Sequence, residues 1–223
     1  MITLKYCKKD AMRYVSHIDG MRNQMRAMRR TGLDVKFSQG FNPHMLLNMG
    51  VTLPLGCGST AEYMTMDLDC DPKVALELYN LKSAPTLAAS ACWLSDRSPN
   101  LAGNVVAADY RIRAYCPDKA MVEGIVDLPS FVIDYPSKKD PHGVKDIAPL
   151  INAIRVDDDY ITVGLAAGNT TVKPDLFAKA LVKMGVKVDM NDVVRIRQYV
   201  RQNGVLTDAD EYLDAFCKES YRV

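Results

Sequence analysis

Two histidines, His17 and His44, one carboxylate, Asp19, and four arginines, Arg22, Arg26, Arg29 and Arg30, all fall before residue 45. Two imidazoles and a carboxylate can form an acid/base pair, part of a metal centre or a phosphate clamp. Guanidiniums suit bidentate contact with phosphate or carboxylate. Asp19 lies three residues before Arg22 and can pair with it, but the other arginines have no acidic neighbour close in sequence. His44 sits in SQGFNPH, where Ser38, Gly40, Asn42 and Pro43 precede it. Gly40 allows a positive φ, Pro43 fixes the chain direction, and Asn42 can bond the turn backbone so that His44 faces the start of the arginine segment. The spacing predicts His17 and His44 across a groove with Asp19 or Arg22 on its wall. In the opposite reading GFNPH is an ordinary turn, the histidines are caps, and the arginines form a solvated face paired with acids from elsewhere. His142, in KKDPHGVKD, reads as a solvated loop residue, and Glu62-Tyr63 and Lys145-Asp146 either complete a site or belong to the surface.

The chain has 223 residues and a formal net charge of +1, but the charge is uneven. Residues 1–50 hold nine Lys/Arg against three Asp/Glu, and residues 51–223 nineteen against twenty-four. That asymmetry suggests an anionic partner for the N-terminal part, nucleic acid or a phosphorylated ligand. Cys7, Cys57, Cys70, Cys92, Cys116 and Cys217 include no C-x-x-C pair, so no iron–sulfur or zinc-ribbon site is encoded locally. The segment ITLKYCKKD alternates like a strand and does not resemble a secretory leader. No apolar run approaches the ~20 residues of a membrane helix. The expectation is a cytoplasmic protein with reduced thiols and no membrane partner. The phosphate-binding, dinucleotide, zincin and nucleophile-elbow motifs are absent, and no cofactor or metal site is assigned.

The elements that must position these side chains follow from periodicity. Ile2, Leu4 and Tyr6 alternate as a strand with one buried face, and Met12 to Val15 reads as extended. Ser16 can cap a helix over 17–31, with Ile18, Met21, Met25 and Met28 inward, the arginines on a neighbouring face and Gly32 closing it. Strands are expected over Leu33 to Phe37, Met45 to Leu53, Ala61 to Leu68 and Leu87 to Leu94, with a helix over Pro72 to Lys82 opened by Asp71. DRSPNLAGN, residues 96–104, reads as a linker. Beyond it come a strand over Val105 to Cys116, a helix over Asp118 to Val126, and an extended run over Phe131 to Tyr135. A hairpin across Asp157-Asp158-Asp159, a helix over Pro174 to Met184, a strand over Val193 to Val200 and a C-terminal helix capped by Thr207 follow. Strands in adjacent pairs favour an α+β fold of two tandem ferredoxin-like units with a short C-terminal helix, over 1–98 and 104–223.

The ordered set Arg13 to Asp19, the arginine-rich stretch Arg22 to Arg30, Phe37 to His44, Leu53 to Gly56 and Glu62-Tyr63 resembles the opening signature of a bacterial family of uncharacterised radical SAM-linked proteins. Met45 stands where a second proline commonly follows the histidine in that family. The resemblance implies a protein encoded beside, or fused to, a radical SAM protein. The chain carries no C-x-x-x-C-x-x-C motif, so such chemistry would belong to the partner.

Together these readings favour a non-catalytic accessory module that binds RNA, transfer or ribosomal, for a radical SAM modifying enzyme. The residues assigned to ligand binding are His17, Asp19, Arg22, Arg26, Arg29, Arg30, Ser38, Gly40, Asn42, His44 and Glu62. Contacts to the RNA backbone are expected rather than base reading, because the usual aromatic stacking signature is missing. Two alternatives stand beside it. One is an enzyme or ligand-binding protein using His17, Asp19 and His44 on a phosphorylated substrate; the other is a protein-interaction subunit whose basic face docks on the radical SAM partner.

Overall fold

The computed structural model describes residues 1–116 and 118–223. The chain order is β1 (Ile2–Lys8), α1 (His17–Thr31), β2 (Leu47–Met49), β3 (Gly58–Met66), α2 (Pro72–Lys82), β4 (Ala89–Leu94), α3 (Leu101–Asn104), β5 (Val105–Tyr115) and α4 (Lys119–Glu123). It continues through β6 (Val132–Asp134), β7 (Val144–Asp146), β8 (Ile151–Val156), β9 (Tyr160–Ala166), α5 (Pro174–Lys183), β10 (Lys187–Gln202), β11 (Val205–Asp208), α6 (Ala209–Phe216) and β12 (Glu219–Arg222). The fold is mixed α+β around one large, mostly antiparallel sheet, ordered β12-β4-β1-β3-β10-β5-β9-β8, with β2 on β3 and β11 on β10. Among the described residues the single parallel joint is β3 on β10, where Gly58 pairs with Val194 and Ser59 with Arg195. Both halves of the chain therefore share one hydrogen-bonded surface, and β12 returns to pair with β4 of the first half.

β1 is buried on both faces, not one. Ile2, Leu4 and Tyr6 pack with Met64, Met66, Ala27, Met28, Leu76 and Tyr79 beneath α1 and α2. The other face is sealed by α6. Lys5 Nζ donates to Asp210 Oδ2 at 2.6 Å, the Tyr63 hydroxyl to Asp210 Oδ1 at 2.7 Å, and the Trp93 indole N–H to Asp214 Oδ1 at 2.8 Å. A strand with helices on both sides must be apolar or paired at every position, which the Thr3–Thr65 hydroxyl contact at 3.0 Å illustrates.

Several local expectations change. Residues 33–37 form no strand; only the bridge between Phe37 and Met45 forms, and of 45–53 only Leu47–Met49 joins a ladder. Asp10–Tyr14 is a 3-10 turn rather than extended chain. The segment read as a linker contains α3, anchored by buried Leu101. The C-terminal helix is capped by Asp208, which accepts from the Asp210 N–H, because Thr207 is held in β11. On α1 the buried positions are Gln24, Ala27 and Met28, whereas Ile18 is exposed. Its ends are as read: Ser16 accepts from the Asp19 N–H, and Gly32 closes it at φ 75°.

The β3–β10 joint is locked by a buried ion pair. Arg195 Nη1 donates to Glu62 Oε1 at 3.0 Å and to the Val51 carbonyl at 2.9 Å, and Nη2 donates to the Thr52 carbonyl at 2.9 Å. Arg195 is 1% exposed. Removing one partner strands the other charge in the interior. Arg195→Met should therefore lower the unfolding free energy by about 3–5 kcal/mol, while the Glu62→Leu/Arg195→Met double variant should lose less than Arg195→Met alone. Urea unfolding of the three proteins measures both.

Candidate functional site: two compartments at the start of helix α1

The first turn of α1 separates a small cavity from a wider groove, and Ser16 lines both. The cavity is walled by Tyr6 and Lys8 of β1, Met12, His17, Gly20 and Gln24 of α1, Met49, Gly50 and Leu53, Glu62 of β3, and Leu87. Its volume is ≈20 Å³, room for about one or two oxygen atoms. The groove, of ≈580 Å³, is lined by Tyr14, Val15, Asp19, Arg22, Asn23, Arg26 and Leu55.

Lys8 is buried and its Nζ donates to the Val15 carbonyl at 2.8 Å, just before the N-cap of α1. Burial pulls this ammonium below the usual lysine range, with Glu62 pulling the other way. Gln24 Oε1 lies 2.6 Å from the Tyr79 hydroxyl, which also reaches the Leu87 carbonyl at 2.9 Å; the Tyr6 phenol is pushed well up, first by burial and then by Glu62. For Arg195, burial opposes the charge, but Glu62 and Tyr110 outweigh it and hold the guanidinium protonated.

On the groove side, the Ser16 hydroxyl donates to Asp19 Oδ2 at 2.8 Å and Arg22 Nη1 donates to Asp19 Oδ1 at 3.0 Å. These two bonds, Ser16 first, hold the Asp19 carboxyl below the usual range. Among the described residues Arg26 forms no carboxylate pair. Arg29 lies 5.8 Å over the Phe37 ring. Arg30 is diverted to structure, donating to the Lys82 carbonyl at 2.7 and 3.2 Å at the end of α2.

The sequence-assigned residues thus divide. His17 and Glu62 meet at the cavity, and Asp19, Arg22 and Arg26 in the groove. Ser38 and His44 meet in their own loop, where Ser38 Oγ bonds His44 Nδ1 at 2.8 Å and accepts the His44 N–H at 3.1 Å. Ser38, rather than Asn42, ties that turn, and Gly40 does take a positive φ of 128°. His44 lines neither compartment, while the neighbouring Phe41 is fully exposed at 105%. The RY pair before Ser16 is structural as well as site-forming: Arg13 donates to the Asn191 carbonyl and fills the space a Cβ on Gly58 would need. Asp146 caps its own turn by accepting from the Phe131 and Ala148 N–H groups. Among the described residues no cluster of three or more His, Cys, Asp and Glu could hold a metal ion, and no helix is long and apolar enough to cross a membrane. A separate pocket of ≈590 Å³ between β6 and α5, lined by Phe131, Ile133, Leu176, Met184 and Met190, contains none of the assigned residues.

Sequence reasoning missed Lys8, Tyr6, Gln24, Tyr14 and Leu55. A signal existed for two of them. Lys8 continues the inward series Ile2, Leu4, Tyr6, and Gln24 lies at helical spacing between Met21 and Met28. Gln24→Met should cost about 1 kcal/mol through the loss of one buried hydrogen bond, because the Tyr79 hydroxyl keeps the Leu87 carbonyl as an acceptor, read as a lower urea midpoint with an unchanged slope.

No curated protein matches the chain. A family model described as an uncharacterized protein conserved in bacteria, DUF2344, matches residues 1–189, which contain both compartments in full. The chain belongs to the DUF2344 family.

Proposed function

We propose that this protein is a non-catalytic module that binds RNA through the arginine face of α1, as an accessory to a radical SAM modifying enzyme. The observation that carries the reading is the groove itself. Arg22 is half neutralised by an exposed contact to Asp19, a type of pair that contributes little, and Arg26 has no carboxylate at all among the described residues. Two arginines four residues apart stand on one helix wall, their Cβ atoms about 6 Å apart, and both side chains are exposed. Tyr14, more than half exposed beside them, adds an aromatic surface on which a base can stack.

The scaffold agrees with this use. Within the sheet, β4-β1-β3-β2 and β10-β5-β9-β8 each follow the order fourth, first, third, second of their half. We read each half as a ferredoxin-like unit on that basis, the two joined where β10, an edge of the second, pairs with β3 of the first beyond the short β2. Such sheets frequently carry RNA, an analogy of fold and not of site. The radical SAM partner is supported by the resemblance of Arg13 to Tyr63 to radical SAM-linked proteins, and by the lack of a cluster-binding cysteine motif in this chain.

Fluorescence anisotropy with a labelled transfer RNA and a labelled ribosomal RNA hairpin tests the reading. Binding should weaken as salt rises, and Arg26→Ala should weaken it uniformly and lower the log–log salt slope by about 1. No binding at 50 mM salt, or an affinity indifferent to Arg26, would remove the RNA reading.

A further inference from the structure

We propose that the cavity beneath α1 is a subsite for a terminal phosphate group, with Lys8 as its principal contact. The origin of that phosphate rests on the RNA reading above; the subsite stands on its own charge and hydrogen-bonding capacity.

The charge balance comes first. Lys8 is 8% exposed, and among the described residues no carboxylate lies within 4 Å of it. Glu62, the one acid on the cavity wall, is already bonded to Arg195. Two cations and one anion leave this interior with one unmatched positive charge. The positive end of α1, equivalent to about half a charge, lies directly above Lys8, since Lys8 bonds the carbonyl of Val15 next to the N-cap. A buried ammonium at a helix N-terminus is in an unfavourable place unless an anion joins it.

The hydrogen-bond balance points the same way. Lys8 uses one of its three protons on Val15. Tyr6 also lines the cavity, and its hydroxyl can donate. The first N–H groups of α1 have no intrahelical acceptor, and the His17 ring stands at the rim. The only carboxylate on this wall is held by a guanidinium.

Size and position specify the ligand. A space of ≈20 Å³ admits about two oxygens, the outer oxygens of a phosphate whose ester bond stays outside. Glu62 lies on the same wall and would repel an anion if Arg195 did not neutralise it. A monoester dianion balances Lys8 together with the helix end better than a single carboxylate does. Ser16 borders both compartments, so a strand lying along Arg22 and Arg26 can place its end in the cavity. A free phosphorylated small molecule offers the same group.

The test uses the full chain with inorganic phosphate, with acetate, and with one short oligoribonucleotide carrying a 5′-phosphate, a 3′-phosphate or only hydroxyl ends. One phosphorylated form should bind about tenfold tighter than the hydroxyl form. Lys8→Met should bring that ratio to about one, Tyr6→Phe should reduce it, and Arg26→Ala should weaken all forms alike. Inorganic phosphate, and not acetate, should raise the melting temperature of the wild type and of Arg26→Ala but not of Lys8→Met. If phosphate stabilises through Lys8 while no oligonucleotide binds, the subsite holds, its source is a small molecule, and the RNA reading fails. If oligonucleotides bind regardless of their ends and phosphate leaves the melting temperature unchanged, the subsite is refuted and the RNA reading survives. Stabilisation by acetate equal to that by phosphate, or by phosphate in Lys8→Met as well, also overturns it.

Discussion

The pair between Glu62 and Arg195 is the constraint around which the molecule is organised. β3 and β10 share only two ladder positions, and each carries a large part of the sheet on its far side. So short a parallel joint supplies few ladder bonds. Arg195 adds three side-chain bonds across it, one to Glu62 and two to backbone carbonyls, all from a fully buried guanidinium. A planar fork is suited to this because its donors reach separate acceptors in fixed directions; a lysine would give one charge and no fork.

The same interaction shapes the candidate site. The carbonyls of Val51 and Thr52 that Arg195 grips belong to the segment from Gly50 to Leu53, which forms one wall of the cavity. Gly50 itself approaches the backbone of Tyr63 so closely that an added Cβ would lie 3.3 Å from its carbonyl oxygen. The wall is therefore pinned from two sides. With Glu62 engaged by Arg195, Lys8 is left as the uncompensated charge, so a structural pair and a binding property have one origin.

Much of the frame was legible in the sequence, and the failures have identifiable causes. Helices α1 and α2 and the β8–β9 hairpin follow from a cap, a period and a turn that all agree: Ser16 and Gly32, Asp71 and Pro72, and the run of aspartates at 157–159. Leu33 to Phe37 reads as a strand, but beyond the bridge of Phe37 to Met45 it joins no ladder, and a strand without a ladder is only extended chain. Thr207 is a good cap by type, yet the ladder with Val200 claims it and Asp208 takes the role. The arginine stripe was visible as charge, but nothing local shows that Arg30 is spent on the end of α2 while Arg26 is not. Lys8 and Gln24 were polar residues in apolar series, the kind of local inconsistency that marks a site more reliably than a histidine in a turn does.

The boundary of the family match sharpens this. Residues 1–189 hold Lys8, α1, Glu62 and the whole cavity wall, whereas Arg195, and Asp210 and Asp214 of α6, lie beyond it. The charge state of the cavity is thus decided from outside the matched region. A chain of the same opening sequence with no arginine reaching Glu62 would leave that carboxylate free to turn toward Lys8. The two would then neutralise each other and the cavity would have no call for an anion. Arg195 does more than join the halves: by occupying Glu62 it keeps the Lys8 charge available, and the C-terminal segment that places β10 against β3 is part of the site although it lines none of it.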